Sequence, residues 1–376
     1  MIYLDNAATS FPKPDAVIEA MVGYMRRIGA SPGRSSHRLA RHADETVFHA
    51  REALAALFGV DRSERIVFTA NATEALNLAI KGMVSDGGHV ITTSLEHHAV
   101  LRPLRTLARH GIDLTILPSD GGPIEPDEVR RAIRPDTRLI TTVFASNVTG
   151  ALMPVQAIGE VAREHRIPYL VDAAQAAGAV PINLGELPVD LFAFTGHKAL
   201  MGPMGTGGLY IAEGLELKPL KEGGTGSDSP NPLQPEELPD RYEAGTLNGP
   251  GIAGLGAAVQ YIMDKGVAAL RERELGLAHR LEEGLAGINQ VTIHSRAGRD
   301  RIALTSISLE GWESQRLAYE LDQRFGVCVR AGLHCAPEAH RSIGTFPGGT
   351  VRFSPGPFTR VEDVDAAIEA IRRLAA

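Results

Sequence analysis

Short, nearly unbroken apolar runs punctuate the chain between about residues 45 and 212. They cover Arg65–Ala70, His89–Ser94, Asp113–Pro118, Arg138–Ala145, Tyr169–Asp172, Leu191–Thr195 and Gly207–Ala212. Each is short for a helix, rich in β-branched and aromatic residues, and continuous rather than alternating, which is the signature of strands buried on both faces. Between several of them lie amphipathic stretches with apolar residues at helical spacing, such as 74–84 and 156–165. The alternation predicts an α/β domain with a mostly parallel, seven-stranded sheet covered by helices on both sides.

Residues 222–251 break this rhythm with Gly, Pro and acidic residues, and composition reads them as a linker or long loop. A long helical pattern follows over 254–287. Strand-like and helical segments then alternate less regularly to a final amphipathic helix ending in VEDVDAAIEAIRRLA. The expected division is a large domain over 15–253 and a smaller α+β domain made of 1–14 and 254–376.

Composition narrows the function classes. Hydrophobic residues make up 44% of the 376 positions and charged residues 22%, as in ordinary globular proteins. A net charge of −7 argues against nucleic acid or an anionic membrane as partner. The opening MIYLDNAATS has neither the basic nor the apolar stretch of a secretion signal, and no apolar run reaches a membrane span, so the expected location is the cytoplasm. Cys328 and Cys335 form neither a disulfide framework nor a zinc pattern.

The chemistry gathers at the ends of the predicted strands. Lys198 follows the run LFAFT within Thr195-Gly196-His197-Lys198, where open α/β sheets bind ligands. A desolvated lysine there is a nucleophile for a carbonyl, and the flanking glycines leave room for another group; the alternative is a plain surface lysine. Asp172 ends YLVD and suits a protonated ring nitrogen, or else caps a turn. Gln175, three residues on, can donate to a phenolic oxygen. Asn71-Ala72-Thr73-Glu74 reads as a helix cap whose free amides, with the Thr73 hydroxyl, form a phosphate cradle, or only a cap. Thr195 and His197 supply further donors to the same phosphate. His97, in Glu96-His97-His98, can stack on a ring and move protons; metal ligation or a solvated histidine pair are the alternatives. Cys335 lies on a Gly- and Pro-flanked loop beside Arg330 and His334, both expected to favour its thiolate. Cys328, in GVCV, reads as an inert core residue. Arg352, in TVRFS, can take a carboxylate bidentately, or sit on a surface strand.

These pieces together resemble the class V transferases dependent on pyridoxal 5′-phosphate (PLP), and within them the cysteine desulfurases and selenocysteine lyases. The matching segments are YLDNAAT, NATEALN, SLEHHAV, SNVTG, VDAAQ, FTGHK with GPMGTGGLY, RYEAGT, RAGLHCAP and VRFS, in the family's order along nearly the whole chain. The resemblance implies a fold-type I homodimer with its site at the subunit interface. It gives Lys198 the covalent bond to PLP and His97 ring stacking and proton transfer. Asp172 and Gln175 contact the ring, and Asn147 lies near ring or substrate. Ala72, Thr73, Thr195 and His197 hold the phosphate, joined by Thr246 of the partner subunit, so the RYEAGT stretch reaches across the dimer. Arg330 and Arg352 belong to substrate binding. The implied reaction converts L-cysteine to L-alanine, leaves a persulfide on Cys335 and hands it to an acceptor protein, as in iron–sulfur cluster assembly. The short, Pro-containing cysteine loop is like that of the desulfurases whose activity needs a separate acceptor. Leu333 stands where that group usually has a histidine, which opens selenocysteine as the substrate.

Two rivals remain at this level. Another class V enzyme, such as an aminotransferase, epimerase or C–S lyase, keeps Lys198 and makes Cys335 incidental. A non-catalytic PLP-fold protein would turn over no amino acid. A dinucleotide site at Gly202–Gly208 fails because the glycine spacing is wrong and no ribose-binding acid follows.

Overall fold

The computed structural model describes residues 1–33, 36–84, 87–227 and 230–376. Its strands in chain order are β1 (Ile2–Tyr3), β2 (Ile66–Thr69), β3 (Gly88–Thr93), β4 (Ile112–Leu117), β5 (Thr137–Val143), β6 (Tyr169–Asp172), β7 (Leu191–Thr195), β8 (Gly207–Ile211), β9 (Val291–Ile293), β10 (Thr305–Leu309), β11 (Val327–Cys328), β12 (Arg330–Gly332) and β13 (Thr350–Phe353). All seven apolar runs become strands of one sheet, ordered β2-β8-β7-β6-β5-β3-β4. Every pairing in it is parallel except those of β8, which runs against both β2 and β7.

The continuous hydrophobicity of these strands has a direct packing cause. Tyr169, Val171, Phe192 and Phe194 point into one apolar cluster, while Leu170, Leu191 and Ala193 point into another. Neighbours along a strand face opposite sides of the sheet, so both faces are core. The parallel strands β5, β6 and β7 end side by side at Val143, Asp172 and Thr195, which opens the site at their carboxyl ends.

A second unit is built on the antiparallel sheet β12-β13-β10-β9 and the parallel pair β1-β11. Leu4, Leu281, Leu285, Leu317, Leu321, Val351, Phe353 and Ile371 form its own core. The amino-terminal strand belongs to this unit, since Ile2 and Tyr3 pair with Val327 and Cys328.

The helical stretch expected over 254–287 is two helices, Gly249–Lys265 and Val267–Ala286, broken at Gly266, whose φ of 79° ends the first. The first begins earlier than its periodicity shows because the Asn248 side chain caps it, accepting from the Gly251 N–H at 3.1 Å. The expected division after residue 253 therefore falls inside a helix. Ile252, Leu255, Ala258, Val259 and Ile262 of that helix bury against the large sheet's cluster.

The Gly- and Pro-rich stretch 222–251, of which 228 and 229 lie outside the described residues, is tied down at its end. Glu243 and Arg51 form a buried bidentate pair at 2.7 and 2.9 Å, and Glu243 also accepts the Phe68 N–H at 2.6 Å. Composition shows only the irregular backbone; the anchor lies 192 residues away in sequence. No helix among the described residues is long and apolar enough to cross a membrane.

Candidate active site

A cavity of about 240 Å³ opens at the ends of β5, β6 and β7. Ala72, Thr73, His97, Asn147, Asp172, Gln175, Thr195, His197, Lys198 and Arg330 all line it. Residues spread over more than 250 positions of sequence thus converge on one hollow.

Its floor is set by the strands. Asp172 is 2% exposed at the end of β6, and burial pushes its carboxyl above the usual range. Its Oδ1 accepts the Ala174 N–H at 2.9 Å, which fixes the rotamer. Lys198 opens on the cavity just past β7. Burial, outweighing the attraction of Asp172, brings its amine down to about 8. The glycines around it are required by packing within the protein itself. A Cβ on Gly196 would strike Thr206 Oγ1, and one on Gly202 would press on Leu255.

The wall beside Thr73 is a helix amino terminus. Asn71 Oδ1 accepts the Glu74 N–H at 3.0 Å, as its spacing predicts, but the Glu74 carboxylate takes the Ala70 N–H at 2.6 Å rather than that of Asn71. The amides of the helix Ala72–Met83 nearest its start are thus left for a ligand. Across from them the buried Nδ1 of His197 has no hydrogen-bond partner among the described residues. Burial, helped by Lys198 and then Lys13, brings the His197 imidazole down to about 4, so it is neutral.

His97 caps the helix His98–Ala108, its Nδ1 accepting the Ala99 N–H at 3.0 Å. Burial, then Lys198, brings it down to about 3. In this neutral ring the cap fixes the proton on Nε2. The preceding Glu96 is wholly buried, and burial pushes its carboxyl up to about 8. Its Oε1 accepts from Val143 N–H at 2.9 Å and Thr93 Oγ1 at 2.7 Å, tying the histidine turn to β5. Sequence reading passed over Glu96, whose only local signal is an acid directly after an apolar run.

Cys335 is exposed beside the cavity, with Arg330 Nη2 3.6 Å from its Sγ. His334 and Cys335 are consecutive non-glycine residues in the left-handed region, at φ 48° and 58°. Such backbone costs of order 1–3 kcal/mol per residue and needs restraint. Asn147 Nδ2 donates to the His334 carbonyl at 2.7 Å, and the His98 N–H donates to the Cys335 carbonyl at 2.8 Å. The His334 ring is buried, stacked on His340, and held down to about 2 chiefly by burial. It is therefore neutral and brings no charge to the cysteine, contrary to the expectation from sequence. Hydrogen bonding orders the rings. Thr345 Oγ1 lies 2.7 Å from His340 Nδ1, His340 Nε2 3.3 Å from His334 Nδ1, and His334 Nε2 3.3 Å from the Arg330 carbonyl. A carbonyl only accepts, so each Nε2 carries the proton.

Besides Cys335, two expected residues do not line this cavity. Arg352 is fully buried behind it, donating to Asn147 O at 3.0 Å and to Asp5 Oδ1 at 3.1 Å. Burial first, with Asp5 opposing, brings its guanidinium down to about 10. Thr246 is exposed and lines a separate hollow with Gly205 and Glu243.

Comparison with known proteins agrees with this geometry. The aminotransferase class-V family model matches residues 2–367. A probable cysteine desulfurase of Methanothermobacter thermautotrophicus is 32% identical, with 100% of this chain and 94% of that protein covered. The cysteine desulfurase IscS of Mannheimia succiniciproducens is 35% identical, with 99% and 92% covered. Among solved structures, the apo cysteine desulfurase of Thermococcus onnurineus superposes with a TM-score of 0.93 at 32% identity, covering 100% of this chain and 94% of that one. The cysteine desulfurase CsdA of Escherichia coli gives 0.88 at 28% identity, covering 99% and 94%. The mostly parallel α/β architecture is that of PLP fold-type I. By sequence along nearly its whole length, the chain belongs to the aminotransferase class-V family.

Proposed function

We propose that this protein is a cysteine desulfurase that holds PLP on Lys198 and receives the substrate sulfur on Cys335. The observation that carries the reading is the meeting of a lysine amine brought down to about 8 with a cysteine held beside the same cavity by Arg330. The residues fit the cofactor. A buried carboxylate, Asp172, suits a ring nitrogen, while the partnerless Nδ1 of His197 and the open amides of Ala72 and Thr73 suit a phosphate. When bound, PLP supplies an electron sink for the pair released at the substrate α-carbon.

The side chains divide the remaining work. Asp172 holds the proton at the ring nitrogen. Gln175 gives one amide proton to the Ala7 carbonyl at 3.0 Å and keeps a second for the phenolic oxygen. His97 stacks on the ring; with its proton on Nε2 it is a donor, which leaves Lys198 as the base at the α-carbon. Arg330, on the cavity wall, takes the substrate carboxylate, with Arg352 behind it and Asn147 beside it. Cys335 thiolate attacks the substrate sulfur. The Cβ–S bond breaks with its electron pair left on Cβ, a proton completes alanine, and the new S–S bond leaves a persulfide on Cys335. An acceptor protein then takes the sulfur. The resemblance implies a homodimer in which Thr246 of the partner subunit joins the phosphate site, and the exposure of Thr246 on its own chain leaves it accessible for that.

The test is incubation with L-cysteine and reductant, followed by alanine quantification and mass spectrometry of the Cys335 peptide. Alanine with a persulfide on Cys335 is expected. No alanine from either cysteine or selenocysteine would sink the reading.

A further inference from the structure

The carbonyl immediately before Lys198 is unusually heavily bonded. His197 O accepts the Ser10 N–H at 3.0 Å, Thr9 Oγ1 at 3.1 Å, Ser10 Oγ at 3.3 Å and Lys13 Nζ at 2.9 Å. A carbonyl oxygen has two lone pairs, so four donors saturate it. Lys13 Nζ also donates to Ser10 Oγ at 2.7 Å, which turns that hydroxyl toward the same oxygen. These two oxygens are the hydrogen-bond partners of Lys13 among the described residues. Lys13 is half-buried, and burial brings its amine down to about 8.

A long cationic side chain lying under cover against a backbone oxygen, when solvent is a short swing away, is costly unless that contact matters. The peptide group is planar, so holding His197 O also fixes the nitrogen and Cα of Lys198. We propose that Lys13 is a positioning residue for Lys198: through the His197 carbonyl it sets the direction in which the Lys198 amine enters the cavity. It acts on the cofactor site from outside, since Lys13 is not among the cavity's lining residues. The same segment ties the site to the second unit, because Asn6 Nδ2 donates to Ser354 O at 3.0 Å and the Ala7 N–H to Ser354 Oγ at 2.9 Å.

This inference rests on the reading that Lys198 carries PLP, so the experiment separates the two. Full-length apoprotein is mixed with PLP, the visible band is followed in time, the adduct is fixed with borohydride, and its position is mapped by mass spectrometry. Lys13→Met, which keeps length and loses the donors, should take up PLP at least fivefold more slowly than wild type. It should also shift the pH midpoint of the bound cofactor's absorption band. Lys13→Gln, which keeps an N–H donor, should recover the uptake rate to within twofold. Wild-type uptake and midpoint in Lys13→Met would overturn the proposal. So would equal slowing in both variants accompanied by equally lowered melting temperatures of the apoproteins, which marks a purely structural role. An adduct missing from Lys198 in the wild type would overturn the functional reading and this proposal together.

Discussion

Lys198 and Cys335 meet at one cavity but are held in different ways. Lys198 follows a strand buried on both faces, and its preceding carbonyl is saturated with donors. Cys335 is exposed on a loop whose backbone is left-handed at two successive residues, restrained by single hydrogen bonds from Asn147 and His98. The difference matches their proposed tasks. A cofactor anchor must not move, whereas a sulfur carrier must reach the substrate and then an acceptor. Restraint by a few separable bonds lets the loop leave its docked position at modest cost, each bond being worth about 0.5–1.5 kcal/mol net.

The strongest break between the two sides comes from deleting each reactive group. Lys198→Ala should abolish the visible band of the bound cofactor and lower alanine production by roughly 10²–10⁴-fold or more. Cys335→Ala should keep the band and lose persulfide formation. Loss of the band in both variants would mean that the sides are not separable. A smaller effect should follow His340→Ala, which leaves His334 Nδ1 without its donor beneath the cysteine loop. An unsatisfied buried group costs about 1–3 kcal/mol. If that cost falls on the loop, persulfide formation should slow about tenfold, while cofactor uptake and the cysteine KM stay within twofold; slowed cofactor uptake would contradict a restraint confined to the sulfur side. The last effect is in pH, about tenfold for each unit below the lysine's midpoint. Only the neutral Lys198 amine attacks the cofactor's aldehyde, and burial puts its midpoint at about 8. Uptake by the apoprotein should therefore rise by about tenfold per pH unit below 8 and level off above it, as monitored by stopped-flow absorbance. A flat profile would contradict this. His334, held down to about 2, should add no step to persulfide formation between pH 5 and 8.

Much of this was readable from the sequence. Seven apolar runs marked seven strands, and the residues at their ends marked the cavity, because strand burial and strand-end chemistry leave local patterns. What stayed hidden was pairing across distance. Thr9 meets His197 across 188 positions, Arg51 meets Glu243 across 192, and Asp5 meets Arg352 across 347. Nothing beside Lys13 announces a carbonyl partner, and nothing in RYEAGT announces the buried anchor of Glu243. The glycines near Lys198 were legible as glycines but not in purpose, since only the fold shows Thr206 and Leu255 occupying the space they vacate. The His334 charge was misjudged for the same reason: its neutrality follows from burial against His340, which spacing does not reveal.

The first residues of the chain also govern when the site can exist. Ile2 and Tyr3 pair with Val327 and Cys328, and Ala7 bonds Ser354 across 347 positions, while residues 9–13 close on His197. A ribosome makes Ala7 347 positions ahead of Ser354, so the strap waits for that partner. Loops of that span are slow to close. The large sheet can form early, but the strap around the lysine is fully paired only once Ser354 has been made, so cofactor capture should follow that pairing.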